Sequence, residues 1–335
     1  MNLSTSHFRV PRLFFILSVL AVITFASSVF YSISLNPEVV FFKKIAKRKI
    51  EWVDFLRGKK EQLFFILGGS SVLFAVDAGS MWFDDNLPVV NMGLGVGMGG
   101  RCIFGFTLLE AKAGDRIVVS LEPGLLQDTS QIQALGSQFA IAIHHPEILS
   151  WPQKKSSVMV VLQQLPYFRP GAQHLLTFAG KIILQKELYR YRAEDMFLGG
   201  LQVTKVRKSL DELAAGVEAD PINLSQESIN LLRDIQRIAL ERKLDVAYLL
   251  PWKYVPKELE RSARIENLEF LLQIADYLPV LIEPQLGIYS HSEAFADSEM
   301  HLNEDGARIR SKELVETLKS WKTLDKSDII KLKGA

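Results

Sequence analysis

The sequence predicts an α/β fold with a mainly parallel sheet, preceded by one membrane-spanning helix. Three observations carry this. Short apolar runs bounded by turn residues alternate with longer segments of helical period. The first of these runs ends abruptly in Gly-Gly-Ser-Ser at residues 68–71. Residues 13–35, LFFILSVLAVITFASSVFYSISL, carry no charge at all.

That apolar stretch spans about 34 Å as a helix at about 1.5 Å per residue, enough for a hydrocarbon core of about 30 Å. Signal peptides have shorter apolar cores, of about 7–15 residues. Small residues at 26–28 fit a cleavage site, but the length favours an uncleaved anchor. Arg9 and Arg12 precede it, and Lys43, Lys44, Lys47, Arg48 and Lys49 follow. A bare positive-inside count keeps the following domain in the cytoplasm, although long domains translocate largely regardless of charge.

The remaining composition suits one large domain, at 48% hydrophobic and 23% charged residues. A net charge of +1 supplies no global attraction to nucleic acid, and no nucleic-acid partner is expected. Cys102 is the only cysteine, which excludes an intrachain disulfide and argues against a thiolate metal cluster.

After a short tail (1–12) and the span (13–35), residues 36–61 place Val39, Phe42, Ile45, Ala46, Ile50 and Val53 at helical spacing among lysines. This predicts a basic amphipathic linker helix, either on the membrane surface or solvated with one packed stripe. The α/β domain is expected over 62–325. Its strands are 62–67, 87–92, 116–122, 246–252 and 279–284. Helices are expected at about 225–243 with Ser225 and Ser228 as candidate caps, at about 257–276, and at about 304–320 with Asn303 as cap. Residues 127–222 fit the alternation poorly and read as an insertion over the sheet's edge. Residues 326–335 read as a frayed tail.

In a parallel sheet, ligands and reactive groups collect at the carboxyl ends of the strands. Three such ends carry unusual residues. Ser70 follows the first strand after two glycines that permit a sharp turn and a close approach. It is either a nucleophile or a helix cap. Gly95, Gly97 and Gly100 in NMGLGVGMGGR form a literal G-x-G-x-x-G, with Glu122 at the end of the next strand. Those residues could bind a dinucleotide, making the protein a tethered oxidoreductase, or the loop could line a site with backbone N–H groups. Asp297 and His301 stand in FADSEMHLNEDGARI, where an aspartate can orient a histidine as base. His144, His145, His174 and His291 read as structural or surface residues, His291 as a candidate neighbour of the site. No metal and no cofactor are expected.

The GGSS block, NMG at 91–93 and DSEMHLNEDG together resemble the SGNH, or GDSL-like, hydrolases. They are most similar to membrane-anchored envelope members such as the DltD-like and alginate-acetylation proteins. The resemblance spans about 62–320 and implies a three-layer α/β/α, flavodoxin-like domain. It implies Ser70 as nucleophile, with Asp297 and His301 completing the triad. The oxyanion donors would be the N–H groups of Ser70 and Gly93, with Asn91 as a further candidate. It implies a serine esterase or O-acyltransferase acting on acyl esters of a cell-envelope or extracellular polysaccharide, or on a lipid-linked sugar. The domain would face the periplasm or exterior, with a membrane-bound acyltransferase or export complex as candidate partner. Three departures stand out. Gly69 replaces the aspartate of G-D-S, Asp297 and His301 are one residue further apart than in D-x-x-H, and SLEPG replaces Gly-x-Asn-Asp. The last departure supports the alternative of an inactive scaffold within an acylation or export complex.

Overall fold

Helix α1 (Arg9–Phe30) continues through a π turn at Tyr31–Leu35, giving an apolar stretch of 24 residues, Arg12–Leu35. One N-terminal helix is thus long and apolar enough to cross a membrane. The structure, a computed structural model, describes residues 9–128, 130, 132–153, 155–168, 172–214 and 223–334, with the backbone alone at 9–11, 172–174 and 334. The first eight residues of the expected tail, part of the expected insertion and the His174 side chain lie outside the described set.

The elements follow in order as α2 (Pro37–Arg57), β1 (Phe64–Leu67), α3 (Ser70–Leu73), α4 (Ala78–Asp85), β2 (Val89–Asn91), α5 (Gly100–Glu110) and β3 (Arg116–Val119). Next come α6 (Pro123–Gln127), α7 (Ala134–Ala142), α8 (Ser157–Gln164), α9 (Ala172–Ile183), α10 (Leu210–Ala214) and α11 (Gln226–Arg242). The chain closes with β4 (Asp245–Tyr248), β5 (Lys253–Tyr254), α12 (Glu260–Ile274), β6 (Ile288–Tyr289), α13 (Glu304–Ser320) and α14 (Lys326–Gly334).

Among the described residues the main sheet runs β2-β1-β3-β4, every pair parallel. The run expected at 279–284 forms no strand but bridges through Val280, parallel to Tyr248 beyond β4 and antiparallel to Leu324. Each strand is shorter than its apolar run. Side-chain alternation sends Phe65, Leu67, Ile117 and Val119 to one core, with α2, α5, α7, α11 and α12. It sends Phe64, Ile66 and Val118 to the other, with α4 and α13. Helices therefore cover both faces, as a parallel sheet requires.

Helix α2 corrects the expected linker. Its stripe of Val39, Phe42, Ile45, Ala46 and Val53 is buried, and so are Phe41, Lys49, Trp52 and Leu56. The stripe packs on the sheet rather than on lipid, so the folded domain begins near residue 37. Asn36 caps the helix by accepting from the Glu38 N–H, and Pro37 sits at its first turn.

The direction of α2 fixes where α1 meets the domain. Arg57, at its C-terminal end, pairs with Asp115 just before β3. Trp52 Nε1 donates to the Val89 carbonyl at the start of β2, and Lys49 Nζ reaches the Asn91 carbonyl at its end. Phe42 lies against Gly95, beyond β2. The helix runs antiparallel to the strands for about 30 Å, so α1 arrives at their carboxyl edge.

Two further expectations are revised. Helix α7, inside the expected insertion, belongs to the main core through Phe139 and Ala140. The expected tail is helix α14, which packs on α12 by burying Ile329, with Lys326–Asp276 and Lys333–Glu269 ion pairs.

Candidate active site at the carboxyl edge

The order β2-β1-β3-β4 reverses direction between β1 and β3, and such a switch point opens a crevice at the carboxyl ends. Ser70 follows β1 and Glu122 follows β3. The glycines before Ser70 answer to close approach. A Cβ at Gly68 would lie 2.4 Å from the Ser120 carbonyl oxygen, and one at Gly69 would lie 2.5 Å from the Glu122 carboxylate. A side chain at Gly68 would press on the Ser120 backbone just past β3, and one at Gly69 would displace the Glu122 carboxylate.

The Glu122 carboxylate is nearly buried and accepts from the N–H groups of Gly69 and Ser71, each at 2.9 Å. It thus ties the β1–α3 turn to β3, across the crevice. Ser70 opens α3, is half-buried, and lines the crevice. Its neighbour Ser71 is buried, and its hydroxyl has no partner among the described residues.

On the opposite wall, the chain folds back through an antiparallel bridge between Phe295 and Leu302, closed by the Ala296 N–H donating to the His301 carbonyl at 2.8 Å. Asn303 fixes this turn on the head of α13. Its Oδ1 accepts from the Gly306 N–H at 3.0 Å, and its Nδ2 donates to the Glu293 carbonyl at 2.5 Å. Within the turn, Asp297 Oδ1 and His301 Nδ1 lie 2.8 Å apart. Asp297 is 2% exposed. His301 stacks on Phe74 at 4.3 Å between ring centroids. Phe74 lies one turn beyond Ser70, and its N–H donates to the Ser70 carbonyl. This stacking sets the imidazole over α3.

Ser70 and His301 line one cavity of about 660 Å³, whose walls also include Val96, Gly97, Glu122, Leu250 and Lys253. With Nδ1 engaged by Asp297, Nε2 is the imidazole nitrogen left for chemistry. Among the described residues no hydrogen bond joins the Ser70 hydroxyl to His301. Such bonds commonly tighten only when substrate binds.

Burial pushes the Asp297 carboxyl up. Hydrogen bonds from His301 and Tyr191, with the Arg190 charge, outweigh that and hold it below the usual range. Tyr191 donates to Oδ2 at 2.8 Å, and Arg190 Nη2 lies 2.6 Å from the same oxygen. Burial, then this hydrogen bond, pushes the Tyr191 phenol up, so it remains a donor.

The expected oxyanion donors are revised. The Gly93 N–H donates to Asn91 Oδ1 at 2.9 Å. Asn91 is fully buried, and its Nδ2 donates to the Val72 and Val76 carbonyls at 3.0 and 2.9 Å. Its Oδ1 also faces Lys49 Nζ at 3.2 Å. Both residues therefore brace α3 against β2, and neither lines the cavity. The Ser70 N–H has no acceptor among the described residues and stays available.

The glycine loop follows β2 at the sheet's edge, away from the switch point where a dinucleotide pyrophosphate would sit. Gly95 packs on the Phe42 ring and Gly97 lines the cavity. His145 and His291 form exposed pairs with Glu147 and Glu293, and His144 takes a positive φ two residues past α7. None of these histidines lines the cavity.

Sequence reasoning missed Arg190 and Tyr191, which lie in the irregular part of the expected insertion. It also missed Lys49, which is buried without a carboxylate partner among the described residues, on a helix that reads as basic and amphipathic. No family model matches the chain, and comparison with curated proteins and with solved structures finds no match.

Proposed function

We propose that the chain is a membrane-anchored serine esterase or O-acyltransferase with an SGNH-like domain. The observation that carries this reading is the meeting of Ser70 and the Asp297–His301 pair on one cavity at the switch point. In the proposed cycle, His301 Nε2 takes the Ser70 proton as Oγ attacks an ester carbonyl. The Ser70 N–H donates to the oxyanion. Collapse expels the alcohol, which receives the proton from His301. The acyl-enzyme then passes its acyl group to water, or to a sugar hydroxyl, by the same steps in reverse.

The anchor and the direction of α2 support a substrate close to the membrane. An acyl ester of a cell-envelope or extracellular polysaccharide, or of a lipid-linked sugar, fits that position. A domain on the periplasmic or extracellular side follows from the same reading, as does work beside a membrane-bound acyltransferase or export complex.

A second reading, an SGNH-like scaffold without turnover, is favoured by Glu122. The end of β3 carries a carboxylate acceptor where an oxyanion hole needs a donor, and losing one donor costs about 100- to 1000-fold in serine hydrolases. Hydrolysis of p-nitrophenyl acetate and labelling by a fluorophosphonate separate the two. The enzyme reading expects turnover and an adduct at Ser70, both lost in Ser70→Ala and His301→Ala. A folded wild-type protein that neither hydrolyses nor labels would leave the scaffold.

A further inference from the structure

Helices α8 and α9 expose apolar side chains that the fold leaves uncovered. On α8 these are Val158, Met159 and Leu162; on α9 they are Leu176, Ile182 and Ile183. Leu176 is 73% exposed and Ile183 is 78% exposed, and they stand in a cluster rather than singly.

Their position beside α1 indicates what covers them. Phe178 of α9 packs edge-on against Tyr31 of the apolar stretch, with ring centroids 5.1 Å apart. The turn after α8, Leu165–Phe168, packs against α1. Tyr31 is four residues from the end of the stretch at Leu35, hence about 6 Å along the axis. Any group touching Tyr31 lies at the depth where a spanning helix leaves the hydrocarbon. An amphipathic helix held there buries its apolar face about 5–10 Å into the headgroup boundary. Lys155, before α8, and Lys181 and Lys186, in and after α9, provide charge for the headgroup layer.

We propose that α8 and α9 lie in the interface of the bilayer that α1 spans, so that the domain rests on the membrane with the carboxyl edge of its sheet toward the lipid. The inference rests on the reading of α1 as a membrane span. It adds a second, monotopic contact that restricts rotation about α1 and holds the cavity near the membrane surface.

The test uses the full-length chain in vesicles of phosphatidylcholine and phosphatidylglycerol. A fluorophore sensitive to its surroundings is attached to a single introduced thiol: Val22→Cys, Val158→Cys, Leu176→Cys, Ile183→Cys or Leu240→Cys. Cys102 is fully buried and does not compete for label. Leu240 is 77% exposed on α11 near the start of β4, at the opposite edge of the sheet. Expected are blue-shifted emission and quenching by doxyl-labelled lipid at Val22, Val158, Leu176 and Ile183, with iodide quenching alone at Leu240. Lipid quenching at Val22 with iodide access at Leu176 and Ile183 would overturn the inference while the anchor stands. Protection at those positions from both quenchers would assign the face to a second copy, and would overturn it too. Absence of lipid quenching at Val22 would remove the span itself, and the inference with it.

Discussion

Tyr191 and Arg190, adjacent in the chain, both reach Oδ2 of Asp297, while Oδ1 is held by His301. The two carboxylate oxygens thus have separate duties. One orients the imidazole, and the other is clamped by a segment more than a hundred positions earlier in the chain.

In the proposed enzyme, Tyr191→Phe removes one clamp while keeping the aromatic packing on Phe74. Loss of a hydrogen bond to a charged group costs about 1.5–3 kcal/mol of stability, and turnover of p-nitrophenyl acetate should fall as the Asp297–His301 pair loses its support. The hydrogen bond lowers the Asp297 carboxyl, so its removal raises it. The acid limb of kcat/KM against pH should move to higher pH, a shift that a purely structural loss would not give.

Ser70 and Ser71 should behave oppositely despite being neighbours. Ser70→Ala should abolish fluorophosphonate labelling. Ser71→Ala removes a buried hydroxyl that has no partner among the described residues, so labelling should persist and stability should match or exceed wild type by up to about 1 kcal/mol. Intact-mass spectrometry and thermal melting decide it.

Glu122→Gln should destabilise the turn before α3. The carboxylate accepts two N–H groups with its two oxygens; an amide offers one oxygen and points an N–H at the other donor. A loss of about 2 kcal/mol is expected, seen as a lower urea midpoint for the detergent-solubilised chain. A midpoint equal to wild type would show that the turn does not depend on this carboxylate.

Burial lowers Lys49 from its ordinary 10.5 to about 7. The unfolded chain keeps this proton up to about 10.5, whereas the folded chain releases it near 7. Stability should therefore rise with pH between those values, by at most about 1.4 kcal/mol per pH unit, and this contribution should be flat below pH 7. Lys49→Met should remove that slope. Melting temperatures of both proteins between pH 6 and 10 give the comparison.

Much of the framework was legible because it is local. The apolar stretch at 13–35, the alternation of strands and helices, the Ser225 and Asn303 caps, and the Asp297–His301 spacing all depend on residues within a few positions of each other. The caps form as read, with Ser225 accepting from the Ser228 N–H and Asn303 from the Gly306 N–H. The amphipathic stripe of α2 was also legible, but what it faces was not. A stripe of Val, Ile and Phe packs equally well on lipid or on a sheet, and the periodicity is identical.

By itself, the sequence determined an N-terminal helix long and apolar enough to cross a membrane, the parallel α/β class, and the turn chemistry at Gly68–Ser71 and Asp297–His301. Only the tertiary structure decided that Glu122 ties the β1–α3 turn to the end of β3, that Asn91 and Gly93 are spent bracing α3, and that Tyr191 reaches Asp297. Periodicity and capping are short-range effects, written into neighbouring residues. The partners of a buried polar group are set by which distant segments pack together, because every buried donor and acceptor must find a mate wherever the fold brings one.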